Sequence, residues 1–150
     1  MKIMKNMMIT TVMLVATPMA LSAPVSAQDF PLIAGDYSEV GGIYVKDGGT
    51  YKYAKFIAED WVKNQEFAKS QGWITDYKIY INVNRRDGEP NVYLMSSFPN
   101  LPNAAEDERR NKAYRDFAKK SSKQLSSESG NRAEYRTIKS SLLLREYKVR

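Results

Sequence analysis

Between Tyr77 and Phe98 the chain alternates so strictly that few folds can accommodate it. Tyr77, Ile79, Ile81 and Val83 are interleaved with Lys78, Tyr80, Asn82 and Asn84, the period of two that makes a strand with two different faces. Arg85-Arg86-Asp87-Gly88-Glu89-Pro90 follows and predicts a turn, with Asp-Gly at its centre. Asn91 to Phe98 then returns, Val92, Leu94, Ser96 and Phe98 alternating with Tyr93, Met95 and Ser97. A register that pairs Val83 with Val92 also sets Ile81 against Leu94 and Tyr77 against Phe98. On the other face it sets Tyr80 against Met95 and Asn82 against Tyr93. Each face of this hairpin is then chemically coherent.

The flanks supply two helices and two more strands. Glu39 to Lys46 reads as a strand that Asp47-Gly48-Gly49 stops, with Gly41-Gly42 marking a weak point, a bulge or a close backbone approach. Tyr51 to Ser70 is a helix by periodicity, with Ala54, Ile57, Ala58, Trp61 and Ala68 on one stripe flanked by Tyr53, Phe56 and Phe67. Gly72 stops it. Asn103 and Glu106 have capping-box spacing, so a second helix is expected from Ala104. Its stripe is Tyr114, Phe117, Ala118 and Leu125, and the serine-rich run from Ser121 to Gly130 leaves its end open. Ile138 to Val149 is a final strand.

The order strand, helix, strand, strand, helix, strand predicts an α+β domain. Its simplest closed form is the ferredoxin-like βαββαβ plait, a four-stranded antiparallel sheet with two helices on one face. The helix-facing set on the hairpin is Ile79, Ile81, Val83, Val92 and Leu94. Lys78, Tyr80, Asn82, Tyr93, Met95 and Ser97 are left on a face too apolar to stay wholly wet. In element order, length and this hairpin, about residues 38–149 resemble the dimeric α/β-barrel superfamily. That superfamily includes small monooxygenases, haem-degrading enzymes, muconolactone-isomerase-like proteins and stress-responsive barrels. The resemblance implies a homodimer in which two such sheets enclose a cavity.

Residues 1–27 differ from the rest. Lys2 and Lys5 precede an apolar stretch from Met7 to Leu21, and Val25-Ser26-Ala27 places small residues at −3 and −1. This predicts a signal peptide cut after Ala27 and a periplasmic or secreted protein, and Pro18 with the short apolar core argues against a stable membrane anchor. Six of the seven methionines lie in this leader. Residues 28–37 read as an extended lead-in and 38–150 as the domain. Without Lys2 and Lys5 the 23 basic residues become 21 against 17 acidic ones, a net charge of +4. That charge suits solubility, and export argues against nucleic acid as a partner.

The chain has no cysteine and no histidine, which removes thiol chemistry, disulfides, a Ser-His-Asp triad and the commonest zinc and haem ligands. No cofactor is expected. Glu106-Asp107-Glu108 are helical neighbours that do not converge on a metal, and the glycine pairs lack phosphate-loop spacing. The candidate ligand-binding residues are Tyr44, Tyr80, Asn82, Tyr93, Met95, Arg145 and Tyr147, with Arg145 positioned in principle to hold a carboxylate. Packing at a dimer interface accounts for the same tyrosines. Asp60 and Asn64 beside Trp61 form a second polar-aromatic group, more simply read as a solvated helix surface. Three functions follow: a binder of a small flat or amphipathic ligand, a cofactor-free oxygenase or isomerase of phenolic or quinone-like substrates, and a structural or envelope-stress interaction protein without ligand. No catalytic residue is assigned.

Overall fold

Ile43, Val45 and Val92 make one side of a sheet that Tyr53 and Ile57 cover, and these five side chains are the buried core. The computed structural model describes residues 30–150, so the expected signal peptide at 1–27 lies outside the described residues. The elements are β1 (Leu32–Val45), α1 (Thr50–Phe56), a π-helical turn (Ile57–Trp61), α2 (Val62–Ser70), β2 (Asp76–Ile81), β3 (Val92–Phe98), α3 (Ala104–Ala118), α4 (Ser122–Asn131), a 3-10 turn (Arg132–Glu134) and β4 (Arg136–Val149). The strands form one antiparallel sheet in the order β2-β3-β1-β4. Each helical connection therefore joins two parallel strands with a third between them.

The hairpin keeps its predicted alternation and changes its partners, and Ile79 and Ile81, expected beneath the helices, are 41% and 62% exposed on the edge strand β2. Ile81 pairs with Val92, Ile79 with Leu94 and Tyr77 with Ser96, two residues away from the expected register. The turn explains the shift. The Asn82 side chain donates to Glu89 and to the Pro90 carbonyl and accepts from the Asn84 amide, so the chain leaves the ladder after Ile81. Val83 falls in the loop and is 95% exposed, not a helix-facing residue. On the other side of the turn, Asn91 clasps Val45 through both its amide groups, accepting from the Val45 N–H at 2.8 Å and donating to its carbonyl at 3.1 Å. A two-residue shift preserves the period of two, so the side chains that remain in the ladder keep the parity of the expected register.

The first helix begins at Thr50, where Gly49 brings the backbone against Tyr135; a Cβ there would lie 2.7 Å from the Tyr135 carbonyl oxygen. Its buried stripe is Tyr53 and Ile57 with Trp61 partly covered, whereas Ala54 and Ala58, expected inside, face solvent. The offset begins before the π turn, with Tyr53 in α1, and the π turn at Ile57–Trp61 carries it on to Trp61. Four-residue spacing drifts around an ordinary α-helix, and one wider turn brings the large side chains back to the sheet.

The second connection holds two helices where one was expected. Asn103 accepts from the Glu106 amide as predicted, but the Glu106 carboxylate turns to Arg109 and Arg110 instead of completing the box. Lys119, at φ 53, is left-handed and ends α3. Ser121 and Gln124 then form a full capping box that starts α4. The expected extended lead-in is also revised: from Leu32 it belongs to β1, because Leu32–Ala34 pair with Val149–Tyr147. A bulge at Gly35-Asp36 follows, and a second in β4 falls at Lys139.

Candidate functional site

The sheet side opposite the helices is built in cross-strand rows. Tyr80, Tyr93, Gly42 and Ser140 make one row; Lys78, Met95, Val40 and Leu142 the next; Asp76, Ser97, Ser38 and Leu144 a third. Ser38 and Ser97 share a 3.0 Å hydrogen bond within the last row. Tyr80, Leu142 and Leu144 are each close to half exposed, at 48%, 46% and 49%. A Cβ at Gly42 would lie 2.8 Å from the Pro90 ring and 3.3 Å from the Tyr93 ring, so the missing side chain is what lets both settle onto β1.

Of the predicted ligand residues, Tyr44, Tyr80, Tyr93 and Met95 share this side. Tyr44 lies between two cations, with Arg85 5.2 Å and Lys139 5.4 Å from its ring centroid. Asn82 is engaged in the hairpin turn and offers its amide to the protein itself. Arg145 and Tyr147 alternate onto the other side of β4. The Arg145 guanidinium stands 4.7 Å from the centroid of Tyr37, which stacks on Phe98, and its Nε donates to the Gly35 carbonyl. The β-bulges and the partner of each strand set that side, and neither is visible in local periodicity. Leu142, Leu144 and Val40 complete the apolar rows; the i, i+2 spacing of Leu142 and Leu144 was their only sequence signal.

On the helical side, α1, the π turn and α2 meet α3 and α4 around a cleft. A cavity of about 290 Å³ is walled by Phe56, Trp61, Tyr114 and Phe117, with Asp60 and Asn64 at its edge. The polar-aromatic group noted at Asp60, Asn64 and Trp61 thus does line a concavity. Trp61 serves two neighbours, facing the cavity and meeting the Tyr77 ring edge-on at 5.5 Å. A second concavity of about 370 Å³ adjoins it, sharing Phe56, Asp60, Lys120, Glu128 and Arg132, and opens towards Lys52 and Lys55.

The charges of this cleft are mostly engaged. Lys120 and Glu128 pair at 2.8 Å, which holds the Lys120 ammonium above its ordinary range. Lys63 lies over Phe117 and Arg132 over Phe56, the latter 4.3 Å from the ring centroid. Burial raises the Tyr114 phenol above its usual value, against the opposing influence of Lys120 and Arg132. The Arg132 Nε is buried and has no hydrogen-bond partner among the described residues. Sequence reading missed Arg132, because only the break at Lys119 and the course of α4 carry it back to Phe56.

Other candidates resolve into local structure. Trp73 meets Phe67 edge-on at 5.3 Å and carries the Arg110 guanidinium 5.6 Å from its centroid. The mixed charges of α3 pair along the helix, as in Arg110–Glu106 at 2.6 Å and Lys112–Asp116 at 2.8 Å. Hydrogen bonds from Arg110 and then from Arg109 hold the Glu106 carboxyl below its usual range. Among the described residues no helix is long and apolar enough to cross a membrane. No family model, no curated protein and no solved structure matches this chain.

Proposed function

We propose that the protein is an exported homodimer of ferredoxin-like plaits, in which the open sheet sides of two copies meet and hold a small flat or amphipathic ligand between them. The observation that carries this reading is the run of incompletely covered apolar side chains through all four strands: Tyr80, Leu142 and Leu144, each near half exposed, with the partly buried Tyr93, Met95 and Val40 between them. A plait is favoured by the strand order and by helical connections that each span one intervening strand. The third helix is then a break at Lys119 within the second crossover. A second copy is favoured over solvent by the same apolar rows. It is also favoured by the two-stranded arm of Leu32–Ala34 and Tyr147–Val149, which runs past the end of β3 and exposes Leu32, Ile33, Tyr147 and Val149.

Binding is preferred over catalysis because Arg145, the cation that would act beside Tyr80, is on the other side of the sheet. Asn82 is held by its turn, while Lys78 pairs with Asp76 at 3.5 Å and Arg85 and Lys139 lie over Tyr44, leaving phenols and serines beside the apolar rows. Export rests on the leader, with Lys2, Lys5 and the Val25-Ser26-Ala27 end.

Light scattering of the purified protein at micromolar concentration is expected to give a dimer mass, and Leu142→Asp a folded monomer. A wild-type monomer overturns the proposal. Native mass spectrometry of protein purified from its own envelope is expected to show a dimer with added ligand mass that Leu142→Asp loses.

A further inference from the structure

We propose that the cleft between α1–α2 and α3–α4 is a second, independent binding site, for a small anion with a flat apolar body, of which an aromatic carboxylate is the simplest case. Four aromatic rings from the two helical connections, Phe56, Trp61, Tyr114 and Phe117, surround one cavity of about 290 Å³. That volume is close to the lower end of small-molecule sites, roughly 300 Å³, and suits a single or fused ring. The π turn helps to make it, since π turns re-aim side chains within a helix, and this one lets Trp61 line the cavity while touching Tyr77.

The sign of the ligand follows from the polar groups. The cleft and its adjoining concavity present Lys52, Lys55, Lys63, Lys120 and Arg132 against Glu59, Asp60 and Glu128. Two buried side-chain donors lack a partner among the described residues, Arg132 Nε and Arg136 Nε, and Arg132 is the one that lines this cleft. The Arg132 guanidinium is held over the Phe56 ring, so a carboxylate entering the cleft meets a positioned cation, and reaching the covered Nε requires a small shift of that side chain. Glu128 is committed to Lys120 and gives Arg132 Nε no acceptor. Asp60 is a wall carboxylate without an ion pair among the described residues, and it opposes an anion more directly than Glu128, which Lys120 neutralises.

The test uses benzoate as probe and benzyl alcohol as its neutral counterpart, followed by calorimetry and by protein NMR with the Trp61 indole N–H as reporter. Benzoate is expected to bind at least tenfold more tightly than benzyl alcohol, with shifts confined to the cleft. Arg132→Gln is expected to remove that preference while leaving the weak affinity for the alcohol. Arg132→Lys, which keeps the charge and loses Nε, is expected to fall between, and it decides the matter should the glutamine variant fail to fold. Asp60→Asn is expected to tighten benzoate binding two- to threefold. Equal affinity for acid and alcohol, an unaltered preference in both Arg132 variants, weaker benzoate binding by Asp60→Asn, or shifts centred on Tyr80 and Tyr93 would each overturn the assignment.

Discussion

Val92 and Tyr93 are consecutive in β3 and end in opposite surroundings. Val92 is buried against Ile43, Tyr53 and Ile57, closed in by helices that belong to the same chain. Tyr93 lies over Gly42 and pairs with Tyr80, half of whose surface meets solvent. The same strands and hydrogen bonds thus carry one side whose centre is closed by helices, with Ile79, Ile81 and Ile138 left exposed towards its edges, and one side without that cover. The difference lies in what covers them. A helix brought back by a short connection is local and unconditional, whereas the cover proposed for the tyrosine side depends on a second molecule and on concentration.

The largest expected effect lies on the helix-covered side. Ile57→Ala removes the π-turn residue that fills the core and is expected to cost about 3 kcal/mol in urea unfolding. A loss under about 1 kcal/mol would mean that the helix does not depend on this contact. Leu142→Ala on the open side serves as the contrast at equal protein concentration.

Tyr53 gives a pH test of the same side. Burial pushes its phenol up to about 12, against the pull of Arg136 and Arg132. The unfolded chain ionises near 10. Below that pH the phenol is neutral in both states and its contribution is complete. As pH rises from about 10 towards 12 only the unfolded state gains charge, and roughly 2–3 kcal/mol of stability is lost. Tyr53→Phe is expected to remove this part of the alkaline slope, read as the difference between two urea titrations. Identical slopes would place Tyr53 in contact with water.

Gly42 sharpens the comparison from the open side. A Cβ there meets the Ser140 hydroxyl, which can rotate, and the Pro90 and Tyr93 rings, which must move. Gly42→Ala is expected to cost about 1–2 kcal/mol and to weaken dimerisation by tilting Tyr93. The smallest expected effect is Leu144→Ser. In the monomer its stability change is within about 0.5 kcal/mol, so a larger loss that scales with protein concentration marks the covered state.

Much of the architecture was legible in advance. The alternation from Tyr77 to Phe98 separates the two faces, Asn103 starts α3, and the glycines after Val45 and Ser70 end their elements. The hairpin register was misread by two residues because periodicity constrains parity alone, and the Asn82 and Asn91 side chains decide where the ladder stops. The alanine stripe differs from the buried one because helical spacing fits two adjacent stripes, and Tyr53 takes the core position in place of Ala54 before the π turn begins. Of the candidate site, Tyr44, Tyr80, Tyr93 and Met95 fell together as expected. Arg145 and Tyr147 did not, since a strand's facing depends on bulges set by its neighbour.

Local chemistry in the sequence by itself determined the element types, their order and the division of the hairpin into an aliphatic and a tyrosine-bearing side, because alternation and capping act over a few residues. Only the tertiary structure decided which aromatic rings share the helical cleft, that Arg132 lies over Phe56, and that Arg145 faces away from Tyr80. Those outcomes turn on bulges, a left-handed lysine and a widened helical turn. Each rotates everything after it by an amount that no neighbouring residue records.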